Sequence, residues 1–140
     1  MRIAIEANLA QGKSTGLGHY VTSLLQALAS VAPQHEYLLL HATPNWNGPD
    51  FGENFRPVSY CFGKQSLGIF FRLNHVLKHE KADIFHATCT TGVPPFPSVP
   101  CIATIHDLYP LIAPEETSKA LNFFFRLLIR FSIRNSKHFI

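Results

Sequence analysis

The run TGLGHYV, residues 15–21, sets two glycines one residue apart where a helical pattern of apolar residues begins. Glycine lets the main chain approach a ligand closely. The first turn of the following helix offers N–H groups without intrahelical acceptors, backed by roughly half a positive charge. Anion binding is the chemistry this suits, so Gly16, Leu17, Gly18 and His19 are candidates for holding a phosphate. The plainer use of the same glycines is a tight turn into the helix.

His106 and Asp107 form the second candidate, directly after the apolar run CIATI. An imidazole there can donate to a sugar hydroxyl or a phosphate oxygen, and a carboxylate beside it can orient the loop or accept from a substrate hydroxyl. Asp107 could instead only shape the turn before Pro110. His86 ends another apolar run and reads equally as a crevice residue or as a satisfied buried histidine. His75 and His79 lie one helical turn apart, but no third ligand follows at a suitable spacing, so no metal site is expected.

Two familiar phosphate motifs are excluded. The dinucleotide fingerprint G-x-G-x-x-G needs a third glycine where Val21 stands, and an acid for the ribose where His41 ends the second apolar run. Gly12-Lys13-Ser14 imitates the end of a Walker A loop, but Ala7 stands where its first glycine belongs. A nicotinamide-dependent oxidoreductase is therefore the least favoured class.

These candidates need elements to position them. Residues 2–7 (RIAIEA) alternate as a first strand, and Leu17, Tyr20, Val21, Leu24, Leu25 and Leu28 recur at helical spacing up to Pro33. Residues 36–41 (EYLLLH) are nearly continuously apolar, as in a strand covered on both faces. A loop over 45–54 leads to a third strand at 58–62. Leu67, Phe70, Phe71, Asn74 and Leu77 then mark one face of a second helix, and 83–87 (DIFHA) is a fourth strand. Four prolines make 88–100 a long loop. Residues 101–105 are a fifth strand, 118–135 a long helix, and 137–140 (KHFI) the start of another strand. Such alternation predicts an α/β fold: a doubly wound, mostly parallel sheet with helices on both faces. With strand order 3-2-1-4-5, the loops carrying Gly16–Gly18, His86–Gly92 and His106–Pro110 meet at the crevice where the sheet reverses direction. An apolar strand at the last residue is read as the front half of something longer.

Length and composition bound the rest. A chain of 140 residues can form one domain that buries roughly two thirds of its unfolded surface. With 46% hydrophobic and only 15% charged residues it is richer in apolar groups than such a domain requires, which points to contact with another domain. A formal charge of +3 without a dense basic run argues for phosphate-bearing ligands and against a nucleic-acid groove. Cys61, Cys89 and Cys101 form no C-x-x-C pair and read as reduced thiols in a cytoplasmic setting. Glu6 interrupts the early apolar run and excludes a signal peptide, while Arg126 and Arg130 break the apolar stretch 121–133, which is too short to span a bilayer. Arg126, Arg130 and Arg134 recur every four residues beside abundant phenylalanine. A solvated basic face is the plainer reading, and peripheral contact with anionic lipid at the inner face of a membrane the alternative.

Taken in order, MRIAIEAN, TGLGHYVTSLLQAL, ADIFHAT and CIATIHDLYPLIAPE, followed by an arginine-bearing helix ending in RNSKHFI, resemble the amino-terminal half of family 4 glycosyltransferases with the GT-B fold. The likeness runs from Met1 to Ile140 and is thinnest between Ala42 and Phe62. It implies a retaining transfer of sugar from a nucleotide-diphosphate sugar to a glycan or lipid-linked acceptor, in a cleft between two Rossmann-like domains, with no cofactor and no obligatory metal. It also implies that Gly16 to Gly18 lie against the donor diphosphate and the acceptor and that His106 contacts the donor sugar near the reacting carbon, with Asp107 continuing a His-Asp pair. Residues 1–140 would then be the acceptor-side domain, lacking the carboxy-terminal domain that holds most of the donor, and would be inactive alone. The alternative is a non-catalytic Rossmann-like module that binds a phosphorylated or glycan ligand.

Overall fold

A computed structural model describes residues 1–12, 15–60, 68–112 and 118–140. Among these residues six strands form one sheet in the order β3-β2-β1-β4-β5-β6, and every adjacent pair is parallel. The strands are β1 (Arg2–Glu6), β2 (Glu36–His41), β3 (Phe55–Ser59), β4 (Ile84–Ala87), β5 (Cys101–Ala103) and β6 (Ser136–Phe139). The helices are α1 (Gly16–Val31), α2 (Ile69–His79), the short α3 (Tyr109–Ile112) and α4 (Lys119–Asn135), with a 3-10 turn at Asn8–Gln11. The doubly wound Rossmann-like α/β fold expected from the alternating pattern is therefore the fold observed.

The period-2 geometry of strands divides the core in two. Ile5, Tyr37, Leu39 and Phe55 face Val21 and Leu25 of α1. Ala4, Leu38, Leu40, Val58 and Phe85 face Leu73 and Leu77 of α2. Tyr37, Leu38, Leu39 and Leu40 are at most 1% exposed, which is why β2 carries no polar alternation: both of its faces are covered.

At the amino ends of the strands, Arg2 reaches Glu36 through Nε at 2.8 Å and donates through Nη1 to the Glu80 carbonyl at 2.7 Å. Arg56 pairs with Glu80 there. That end is an ion-paired floor, which leaves the carboxyl ends of the strands open for ligands.

Three local differences from the expected elements have physical causes. β3 begins at Phe55 rather than Val58, and of its expected end, residues 61–62 lie outside the described residues. Pro57 disfavours a central strand, but β3 is the edge of the sheet, where a missing N–H costs no ladder bond. Phe55 is held by stacking on Tyr37, with ring centroids 4.5 Å apart and planes 13° apart.

Asn74, which the spacing places with the apolar face of α2, instead pins the proline-rich loop. Its Nδ2 donates to the Phe96 carbonyl at 2.7 Å and its Oδ1 accepts from the Ser98 N–H at 3.0 Å. The short α3, which the sequence pattern does not signal, follows His106 and Asp107. Pro110 stands in its first turn, where no intrahelical N–H is lost.

Candidate functional site

β1 sits between β2 and β4, so the sheet reverses direction between β1 and β4. The loops after β1, β4 and β5 meet beyond this point, at the carboxyl rim. Each contributes to one connected group of side chains.

Thr15 caps α1: its Oγ1 accepts from the Gly18 N–H at 3.1 Å, and its carbonyl accepts from the His19 N–H at 2.9 Å. Those two donors are therefore taken, contrary to the expectation that the whole first turn offers free N–H groups. Gly16 and Leu17 are the first two helical residues, and their N–H groups have no intrahelical acceptor. Gly16, Leu17 and His19 are exposed whereas Gly18 is buried. A Cβ built on Gly16 would meet nothing within 4 Å, so the space beside it is open.

Two residues beyond Gly18, Tyr20 turns its ring edge-on to His106, with centroids 4.8 Å apart and planes at 81°. Its hydroxyl lies 3.0 Å from Thr104 Oγ1, which in turn lies 2.9 Å from Nε2 of His86. His86 is 6% exposed, which settles the open choice in favour of a buried, hydrogen-bonded histidine. Burial, and secondarily the charge of His106, lower its pKa from 6.5 to about 4, so the ring is neutral at physiological pH. Tyr20, Thr104 and His86 thus form one hydrogen-bonded chain.

His106 itself is half-buried. Its Nε2 lies 2.7 Å from the Thr88 carbonyl, which can only accept, so Nε2 carries a proton and Nδ1 is the nitrogen left for a ligand. Among the described residues Nδ1 has no partner. Asp107 is exposed on the stretch leading to α3. The structure thus joins the glycine turn to His106 through Tyr20 and sets Asp107 at the outer margin.

Thr88 also ties this group to β1, because its hydroxyl donates to the Glu6 carbonyl at 2.7 Å. Next to it, Cys89 Sγ donates to Glu6 Oε2 at 3.2 Å. Burial raises the Glu6 pKa against the lowering pull of the Cys89 and Asn8 hydrogen bonds. Burial, followed by the charge of Glu6, raises that of the Cys89 thiol. Cys89 and Cys101 are free thiols. A Cβ on Gly92 would collide with Glu6 Oε2 and lie 3.1 Å from Ala87 Cβ, so only glycine lets the loop fold over this carboxyl.

Sequence reasoning misses Tyr20, Thr88 and Thr104 as supports of the site, and uses Glu6 only to exclude a signal peptide. Tyr20 counts there as part of the apolar stripe of α1. The one signal that could draw it out is its place two residues after Gly18. His41, at the end of β2, is 3% exposed and bonded through Nδ1 to Thr43 Oγ1 at 2.9 Å, which removes it from ligand contact.

Lys13 and Ser14 of the Walker-like triplet lie outside the described residues. The His75 and His79 rings are 6.3 Å apart, and among the described residues no group of three or more His, Cys, Asp or Glu side chains could hold a metal. Among the described residues no helix is long and apolar enough to cross a membrane.

A family model described as Glycosyltransferase Family 4 matches residues 14–140, which include the glycines that open α1, the rim loops after β4 and β5, and α4. The chain matches no curated protein.

Proposed function

Because the chain belongs to glycosyltransferase family 4, we propose that it is the acceptor-side domain of an enzyme that moves a sugar, with retention, from a nucleotide-diphosphate sugar to a glycan or lipid-linked acceptor. The observation that carries this reading is the contact between Tyr20 and His106, which brings the glycine turn and the histidine loop to one rim of the sheet. Sugar transfer needs a donor and an acceptor held in near-attack geometry, and a fixed positive field for the charge that builds on the leaving diphosphate. The N–H groups of Gly16 and Leu17, at the positive end of a 16-residue helix, contribute to that field. His106, with Nε2 held by Thr88, presents Nδ1 to a hydroxyl of the donor sugar. Asp107 orients the loop or accepts from a substrate hydroxyl. No cofactor or metal has a part in this scheme.

A second, donor-holding domain completes the cleft, and the high apolar content fits burial against it. The reduced thiols fit a cytoplasmic location. Contact with an anionic membrane surface belongs to the same reading: α4 exposes Phe123, Phe124 and Leu127 beside Arg126 and Arg130, and has no acidic residue.

The test is sugar transfer from nucleotide-diphosphate sugars by the protein carrying both domains, with the anomeric configuration of the product read by NMR. His106→Ala should lower kcat/KM by about 10²-fold or more while leaving the unfolding transition unchanged. Wild-type rates in that variant would remove His106 from the site, and an inverted product would remove the retaining mechanism.

A further inference from the structure

On the face of the sheet opposite Tyr20 and His106, a cavity of about 490 Å³ opens between α2, α4 and the strand ends. Its size falls within the range of small-molecule sites, roughly 300–1,000 Å³. Ile69, Phe70 and Leu73 of α2 form one wall, Phe124 and Leu128 of α4 another, and Phe85 the floor. The polar residues of its lining are Glu6, Tyr60, Cys89 and Thr91.

The Glu6 carboxyl keeps some acceptor capacity in these surroundings. An ionised carboxylate offers about four acceptor positions. Among the described residues it accepts from the Cys89 main-chain N–H, from the weakly donating Cys89 thiol at 3.2 Å, and through a long bond from Asn8 Nδ2 at 3.4 Å. The hydroxyl of Thr88, which could have served it, goes to the Glu6 main chain instead. Asn8 also donates to the Tyr60 hydroxyl at 2.7 Å, which fixes the amide and keeps it from closing on Glu6. Three donors leave about one acceptor position, which an O–H or N–H from outside can fill at the end of the apolar space.

We infer that this cavity binds the apolar portion of an uncharged amphiphile whose hydroxyl-bearing head is hydrogen-bonded by Glu6. The aliphatic and aromatic walls match a hydrocarbon body and offer nothing to a second charged group. The raised pKa of Glu6 fits a head that is neutral rather than cationic, because a cation beside the carboxylate would act against burial. An anionic head is disfavoured by the same carboxyl. The Gly92 turn keeps Glu6 reachable, since a larger residue there would displace the carboxyl. The inference concerns the face away from His106 and stands or falls separately from the transferase reading.

The experiment is calorimetric titration of the 140-residue chain with four probes: octyl glucoside below its micelle concentration, glucose, octanoate and octylamine. Octyl glucoside should bind about 10-fold or more tightly than each of the other three. Phe124→Asp, at the half-open mouth, and Ile69→Trp, which fills the space, should each weaken octyl glucoside by about 5-fold or more. Thermal unfolding shows that the variants remain folded. Since Phe124 is 43% exposed, its replacement keeps the test valid even if Ile69→Trp misfolds. Glu6→Gln should narrow the preference for octyl glucoside over octanoate. Octyl glucoside binding no tighter than glucose, undiminished affinity in folded Phe124→Asp, or tighter binding of octylamine would each overturn the inference. None of these outcomes bears on sugar transfer, which the His106→Ala assay reads independently.

Discussion

His106 can hold a ring nitrogen toward a ligand because its other nitrogen is fixed by a main-chain carbonyl and its ring edge is supported by Tyr20. Beneath it, His86 is a structural histidine with a measurable consequence. Its pKa is held at about 4 by burial, with the charge of His106 as a second cause, against 6.5 in the unfolded chain. As the pH falls below 6.5 the unfolded chain takes up a proton that the folded chain refuses, so the stability is fully present above that value and is lost on descending toward 4. Each pH unit crossed between those two values removes about 1.4 kcal/mol, so the loss from His86 on going from neutral pH to the lower value should reach up to about 3 kcal/mol. Buried His41, also lowered, adds in the same direction. Urea unfolding of wild type and His86→Asn across this range checks it: the variant should show a flatter dependence on pH.

Among the elements, α1 begins where it does because Thr15, in extended conformation, caps the Gly18 N–H. Thr15→Ala should lower stability by about 1 kcal/mol, read as a shift in the urea midpoint. In the full enzyme it should also weaken donor binding, since the cap sets the direction of the Gly16 and Leu17 N–H groups. α4 behaves differently from an ordinary surface helix. It buries Asn122, Ile129 and Ser132 while Phe123 is 71% exposed and Ile133 50%. The arginine spacing is as the sequence indicated, but a solvated basic face does not account for phenylalanines lying in the open beside it. Co-sedimentation with vesicles containing anionic lipid is expected, weakened by salt and reduced several-fold by Phe123→Asp. Equal pelleting with neutral and anionic vesicles would remove the electrostatic part of that reading.

For the whole molecule, one rim of the sheet gathers the glycine turn, His106 and the Glu6 cavity, while the opposite end is closed by Arg2, Arg56, Glu36 and Glu80. In the proposed scheme this chain is one wall of a cleft and provides only part of the positioning and charge stabilisation that transfer requires. The 140-residue chain alone should therefore bind nucleotide-diphosphate sugars weakly, at millimolar levels or beyond detection in a titration, and show no turnover. Measurable transfer by this chain would refute that.

Alternation of strand and helix patterns determined the α/β class, and the continuous apolar run of β2 determined that both faces of the sheet are covered, because burial on each side leaves no place for polar residues. The family was legible too, and so was the start of α1 at the glycines, because a helix entry and the end of a strand favour particular residue types. Tertiary structure alone decided which side chains meet. Pro57 became acceptable only once β3 proved to be an edge, Tyr20 left the helix stripe to touch a residue 86 positions away, and Glu6 gained its role from a loop 83 residues later. Local patterns register burial and backbone preference within a few residues. Contacts between distant segments depend on strand order, and strand order is set by the packing of the whole sheet.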